Sequence, residues 1–255
     1  MSVKLVRFKS NNQDQWGVLK GNRINFIKGD IFGARQILEE HIALDKVKLL
    51  APCTPSKGVC IGLNYFDHAR EMNLELPEEP LMFLKPSSSL NYPGGNIEYP
   101  AISHNLHYEG ELAIVIKKEA YHVSAEAAFD YVLGYTCAND VTARDLQLKD
   151  GQWTRGKSFN TFMPIGPWIE TDIDPNSLNI KLYVNDEVRQ SSNTNNLIFG
   201  VAQLVAYVTQ VMTLYPGDVI LTGTPSGVGP MQVGDKVAVE IEGIGRLENT
   251  IVSGK

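Results

Sequence analysis

The sequence predicts a mixed, β-rich α+β protein, with a small N-terminal β-meander ahead of a larger domain built on a rolled or sandwiched sheet. Short segments rich in Val and Ile recur along the chain: VCIGL, LAIVI, VLGYTCA, IKLYV, VILTG, KVAVEIEG and RLENTIV. Branched side chains of this kind suit a pleated, half-buried surface. These segments do not alternate with helices as a doubly wound sheet requires, which disfavours a Rossmann-type architecture. The stretch LLAPCTPSK, residues 49–57, carries two prolines that keep the residues before them out of helix, and so marks a boundary.

Taken in order, KLVRF, WGVLK and RINFI alternate apolar and polar residues and are separated by polar or glycine turns such as Lys20-Gly21-Asn22. This is the pattern of a meander. A helix is expected at 34–40. The first domain then covers residues 1–55 and the second 56–255. Within the second, helices are expected at 125–131, capped by Ser124, and at 198–214, ended by the turn Tyr215-Pro216-Gly217.

Composition narrows the function classes. With 255 residues, 43% hydrophobic and 20% charged, the chain can bury a large core. Net charge is −6 and the basic residues are scattered, so neither a nucleic-acid footprint nor an anionic-membrane surface is expected. No apolar stretch approaches the roughly 18 residues that span a bilayer, and the start shows no uninterrupted apolar core. A cytoplasmic protein with a small-molecule partner is the expectation. Cys53, Cys60 and Cys137 show no CxxC spacing and are expected to be reduced packing residues.

The run HYEGELAIVI is the most informative segment. Alternation along a strand puts Glu109 and Glu111 on one face with Ala113 and Val115, while Tyr108, Leu112, Ile114 and Ile116 make the other face equally apolar. That is an interior strand covered on both sides. Two ionised carboxylates there repel each other and lose hydration, so they must take up protons or share a cation. Asp140, at the end of a strand in YTCANDVTARD, adds a third carboxylate, although alone it reads equally well as a turn residue. An all-oxygen set suits Mg²⁺, Mn²⁺ or Ca²⁺ and not zinc.

His68 and Glu71 stand three apart on an expected short helix, where a carboxylate can orient an imidazole for proton transfer. The plainer reading is an exposed charged pair. Lys157, in WTRGKSFNTFMP with Arg144 and Arg155 not far off, can hold a carboxylate or steady an enolate, although most lysines are simply solvated. The loop TGTPSGVG, residues 222–229, can offer backbone N–H groups to an anion. It lacks the Gly-Lys-Ser/Thr of a phosphate loop, and a glycine turn between strands accounts for it equally well.

In order, GLNYFDHAREM, FLKPSSSL, HYEGELAIVI, NDVTARD, KSF and LTGTPSGVG closely resemble the fumarylacetoacetate hydrolase (FAH) superfamily, from about Val59 to the end. The first fifty-odd residues resemble the short extension of its smaller bacterial members, not the much longer N-terminal domain of fumarylacetoacetase itself. The resemblance implies an FAH-type β-roll core, a homodimer, and a divalent ion, Mg²⁺ or Mn²⁺ with Ca²⁺ as a further option, held by Glu109, Glu111 and Asp140. It implies that His68 and Glu71 lie on a segment ordering over the substrate and that Lys157 contacts it. Thr224 and Gly223 would form the substrate-anion turn, with Arg144 and Gln147 near the metal pocket. Leu63 departs from the pattern, standing where several relatives, acylpyruvases among them, carry arginine.

The function expected on this basis is a metal-dependent enzyme for 2-oxo and 2,4-dioxo acids, hydrolysing a C–C bond of acylpyruvate-like substrates through an enolate. His68, assisted by Glu71, would activate water, and Lys157 would steady the enolate. The same site would serve the isomerisation of 2-hydroxyhepta-2,4-diene-1,7-dioate in aromatic catabolism. It would equally serve decarboxylation of 5-oxopent-3-ene-1,2,5-tricarboxylate or oxaloacetate. A non-catalytic 2-oxo-acid binding protein is the alternative outside enzymes.

Overall fold

Strand Gly110–Ile116 is buried at every position, and its two faces feed different cores. Leu112, Ile114 and Ile116 pack with Ile180, Leu182, Val237 and Val239. Ala113 and Val115 pack with Cys60, Leu133, Ile165, Val219 and Leu221. Both faces are therefore dry, as the continuous apolar run requires. The computed structural model describes residues 3–254; Met1, Ser2 and Lys255, the outer ends of the two expected domains, lie outside the described residues.

This strand sits inside a twelve-stranded sheet. It pairs antiparallel with Val132–Asn139 on one side and Val219–Leu221 on the other. Val219–Leu221 runs parallel to Lys57–Gly62, which pairs with Leu81–Pro86 at one edge. In the other direction Val132–Asn139 pairs with Met163–Glu170, and Met163–Glu170 with Lys4–Ser10. The N-terminal meander thus prolongs the same sheet. A five-stranded sheet centred on Asn179–Val184, Lys236–Ile241 and Gly245–Ser253 supplies the facing core, and Leu106–Tyr108 lies in a small three-stranded sheet between Thr142–Ala143 and Gly229–Met231. The β-rich α+β class is what the structure shows.

One expected helix is a strand. Residues 34–40, ARQILEE, have good helix formers, yet Arg35–Ala43 pairs along its length with Arg23–Gly29. A tight turn before it reverses the chain, with Phe32 N–H donating to Asp30 Oδ1 at 3.0 Å and Gly29 at φ +107°. Ladder bonds to a neighbour already in place outweigh a few tenths of a kcal/mol per residue of local propensity. The expected helix at 125–131 shrinks to a turn and the 3₁₀ segment Ala128–Tyr131; Ser124 does not cap it with its side chain, and only its carbonyl accepts, from Ala127 N–H. The long helix forms as Val201–Val211, with Gly200 N–H donating to Gln203 Oε1 at 2.9 Å. The turn after it closes through Asp218 N–H to Tyr215 O at 2.9 Å, with Gly217 in the left-handed region.

Asp218 also fixes the chain where the two expected domains meet. Its buried carboxylate accepts from Ser56 N–H and Oγ at 2.8 and 2.7 Å and from Lys57 Nζ at 2.6 Å. The three cysteines are buried and unpaired. Among the described residues no helix is long and apolar enough to cross a membrane. Replacing Leu112, fully buried between the two large sheets, by alanine should destabilise the fold by about 2–5 kcal/mol, read from chemical denaturation. The half-exposed Val188→Ala should cost well under 1 kcal/mol.

Candidate active site

The register of two strands brings the acids together. Gly110 faces Asn139 and Glu111 faces Ala138 across the ladder, so Asp140, one residue beyond the strand, lands beside Glu109 and donates its N–H to Glu109 O at 2.9 Å. One carboxylate oxygen from each of Glu109, Glu111 and Asp140 can be chosen so that all three lie within 4.8 Å of one another. All three side chains are buried.

Three cations offset them. Lys157 Nζ donates to Glu109 Oε2 at 2.8 Å and to Asp140 Oδ2 at 2.6 Å. Arg144 donates from Nη2 to Glu109 Oε1 and from Nη1 to Gln147 Oε1 at 2.5 Å. Lys85, fully buried, lies 2.8 Å from Asp140 Oδ1. Burial opposes ionisation of Glu109, but Lys157 and Arg144 hold its carboxyl well below the usual range. Burial also opposes the charge on Lys157, and Asp140 and Glu109 nonetheless keep its pKa above the ordinary value. Among the described residues Glu111 makes no ion pair. Burial, then the charges of Asp140 and Glu109, push its carboxyl far up, against the charge of Lys157 and the N–H of Gly223 donated to Oε2 at 2.7 Å.

These features fit a divalent ion. A lysine has three N–H donors, and Lys85 directs its own to Val141 O, Lys157 O and Phe162 O at 2.9, 2.6 and 2.8 Å. Asp140 Oδ1 therefore sits beside a positive charge yet receives no hydrogen bond among the described residues. A buried acceptor left open, next to a glutamate short of positive charge, within an all-oxygen set, is the donor chemistry of a hard cation. Glu109, Glu111 and Asp140 are the residues able to hold it.

The glycine-rich loop supports this arrangement from behind. Gly223 has φ +98°, and a Cβ there would meet Asn64 Cβ at 2.8 Å, so glycine alone lets the backbone approach Glu111. Thr224 lines the cavity, with Oγ1 donating to Gly110 O at 3.0 Å and accepting from Gln190 Nε2 at 2.8 Å. Gln190 Oε1 accepts Gly110 N–H at 2.9 Å, bracing the strand between the two glutamates.

His68 and Glu71 lie on the short helix Phe66–Glu71. His68 Nδ1 is 3.1 Å from Glu71 Oε2, and the Glu71 carboxylate also accepts Gly227 N–H at 3.1 and 3.2 Å. The helix is held at its start as well: Asp67 Oδ2 accepts from Ser192 Oγ at 2.6 Å, and Asn64 Nδ2 donates to Thr222 O at 2.8 Å. His68, Glu109, Glu111, Asp140, Arg144, Gln147, Lys157 and Thr224 all border one cavity of about 350 Å³. Glu71 and Gly223 stand behind its wall. Sequence reasoning missed Lys85 and Gln190. A lysine in the middle of the apolar strand LMFLKP was a signal for the first; nothing local marks the second, which lies in the mostly exposed strand Glu187–Asn193.

Such a β-rich fold around a cavity lined by buried carboxylates and their counter-charges describes a class of enzyme, and comparison with known proteins identifies it. Residues 57–252 match the family described as fumarylacetoacetate (FAA) hydrolase C-terminal, and residues 3–52 match the description Rv2993c-like, N-terminal. The chain belongs to the fumarylacetoacetate hydrolase family. It is 44% identical over 234 residues to oxaloacetate tautomerase Fahd2a of Rattus norvegicus, covering 86% of this chain and 75% of that one. The crystal structure of 2-hydroxyhepta-2,4-diene-1,7-dioate isomerase from Mycobacterium marinum superimposes with a TM-score of 0.92 at 43% identity over 98% of both chains. Maleylpyruvate hydrolase from Sphingobium sp. SYK-6, in complex with manganese(II) and pyruvate, gives 0.83 at 32% identity, covering 99% of this chain and 100% of that one.

Replacing Glu111 by glutamine should abolish Mn²⁺ affinity in titration calorimetry while leaving the circular dichroism spectrum intact. Undiminished binding would rule the site out. Lys85→Met should cost about 3–5 kcal/mol in denaturation, because it strips a buried carboxylate of its counter-charge and orphans three carbonyls.

Proposed function

We propose that this enzyme moves a proton at C3 of an enolisable 2-oxo acid, interconverting keto and enol forms or shifting a double bond. The observation that carries the reading is the placement of a histidine–glutamate pair and a carboxylate triad around one cavity. Its closer characterised relatives named above are a tautomerase and an isomerase, and both reactions turn on this proton transfer.

Electrostatics support a dianionic ligand. Three carboxylates stand against Lys85, Lys157 and Arg144, so the cluster is neutral when all are ionised. A divalent ion held by Glu109, Glu111 and Asp140 would add two positive charges, which a carboxylate plus an enolate would cancel. When bound, that ion supplies Lewis acidity towards the carboxylate and 2-oxo oxygen of the substrate, which acidifies C3–H.

The remaining work falls to side chains. Glu71 engages His68 Nδ1–H and so leaves Nε2 as the lone-pair nitrogen that takes the proton from C3. The imidazolium so formed is stabilised by the same carboxylate and returns the proton to the oxygen, or to a carbon further along the chain. Lys157 places its ammonium against the developing enolate oxygen. Arg144 and Gln147 orient the substrate carboxylate, and Thr224 bounds the opposite wall.

A second reading is favoured by the hydrolase relative with its manganese and pyruvate. In it, His68 activates water for attack on a C4 carbonyl, and the C3–C4 bond breaks to leave the enol of pyruvate. Loss of enol absorbance from acetylpyruvate in D₂O, followed by proton NMR, separates the two. Deuterium at C3 without acetate supports proton transfer; acetate with pyruvate supports hydrolysis. Either should require Mg²⁺ or Mn²⁺, stop with EDTA, and fall by about 10²–10⁴-fold in His68→Ala, with oxalate binding retained. A His68→Ala variant of undiminished rate would sink the assignment of the base.

A further inference from the structure

One buried amide connects the carboxylate triad with the histidine–glutamate pair. Strand Glu187–Asn193 is exposed or half-buried at every position except Gln190, where a pleated surface ordinarily takes an apolar side chain. The register against Asn179–Val184 slips beside it: Leu182 faces Gln190 but Tyr183 faces Val188, so Arg189 is an extra residue. A bulge of this kind bends the strand and re-aims its groups. Here the Arg189 carbonyl comes against Gly227, where a Cβ would meet it at 2.4 Å, so the strand and the glycine-rich loop pack backbone to backbone.

The Gln190 amide is engaged on both sides. Oε1 accepts Gly110 N–H at 2.9 Å, between Glu109 and Glu111, and Nε2 donates to Thr224 Oγ1 and Pro225 O at 2.8 Å each. It thereby pins the middle of a loop whose ends serve different parts of the site. Before the pin, Gly223 N–H donates to Glu111 Oε2 at 2.7 Å; after it, Gly227 N–H donates to Glu71, the carboxylate beside His68. Ser192, further along the same strand, donates to Asp67 at the start of the His68 helix. A buried amide is desolvated at a cost that a methionine of similar length avoids, so what its satisfied hydrogen bonds add is a single geometry. Resting on the reading that the triad holds a cation and His68 moves the proton, we propose that Gln190 is a positioning residue: through Gly110 and the loop from Gly223 to Gly227 it sets the triad and the His68–Glu71 pair at one separation. That separation matters, because a misplacement of about 1 Å between reacting groups can cost about 10²-fold in rate.

Two readouts that need no turnover test it: Mn²⁺ affinity by titration calorimetry, and the His68 tautomer from its ring ¹⁵N resonances in the metal-free protein at about pH 8.5, where an ordinary imidazole is neutral. In the unaltered protein His68 should carry its proton on Nδ1, facing Glu71. Gln190→Met should weaken Mn²⁺ binding by about 10–100-fold, as loss of an outer partner of metal ligands commonly does, and should move His68 towards the mixed tautomers of a free imidazole. Thr224→Val keeps the shape but removes the hydroxyl that joins Gln190 to Gly110 O. It should move both readouts in the same direction by a smaller factor, and it carries the test if Gln190→Met does not fold. Asn249→Met removes an equally buried amide, bonded to Tyr92 O and Gly95 O outside the cavity lining, and should move neither readout. Either readout unmoved in the folded Gln190 or Thr224 variant, or both moved as far by Asn249→Met, would overturn the proposal. Absence of proton transfer at C3 would instead sink the proposed function while leaving both readouts as described. An unaltered protein that binds no Mn²⁺ would remove the site itself, and this inference with it.

Discussion

The structure depends on keeping three carboxylates out of water. Glu109, Glu111 and Asp140 are all buried, and isolated carboxylates in such a place would cost several kcal/mol each. Lys157 bridges Glu109 and Asp140, Arg144 supports Glu109, and Lys85 stands against the other oxygen of Asp140. Lys85 also shows how strictly the positions are set. Its ammonium is spent on three backbone carbonyls from separate parts of the chain, so it ties those segments together and still lends Asp140 its charge. Glu111, which makes no ion pair among the described residues, and the Asp140 oxygen that receives no hydrogen bond among them are the groups left for a cation to engage.

The rest of the fold serves that cluster by rigidity. Two dry cores grip the central strand from opposite sides, so its register against Val132–Asn139 cannot slip without exposing a whole apolar face. Gln190 and Thr224 then lock Gly110 between the two glutamates from the neighbouring strand and loop. Gly223, at φ +98°, lets the loop approach Asn64 and Ile61 more closely than a side chain would allow, and at Gly110 a Cβ would crowd the side chains of Leu182 and Gln190. Opposite this fixed wall lies the short helix of His68, attached at a few polar points: Asp67 to Ser192 and Glu71 to Gly227. The proposed proton-transfer group thus sits on an element held by side-chain contacts, and the carboxylates able to hold a cation sit on a strand gripped by two cores.

Much of this was legible in the sequence. The alternation in HYEGELAIVI gave the doubly covered strand and the placement of two acids on one face, because side-chain direction along a strand is a local matter of period two. The strand segments from VCIGL to RLENTIV were read from periodicity and branching for the same reason, and the long helix expected at 198–214 forms in the shorter span Val201–Val211. Where local signals were weak they misled. The helix formers of residues 34–40 became an edge strand, and Ser124 did not cap, because pairing partners and turn geometry outweighed small propensities.

By itself, then, the sequence determined the β-rich class, the interior strand, the family resemblance and the residue types from which an acidic oxygen site is made. Tertiary structure decided the rest: which cations answer which carboxylates, the bracing by Gln190, the buried seat of Lys85, and the aromatic wall that Phe83 and Trp153 build from segments seventy residues apart. The physical reason is range. Strand alternation and helix periodicity act over a few residues, whereas charge compensation, close backbone approach and cavity shape arise only when distant segments are brought within a few ångströms of one another.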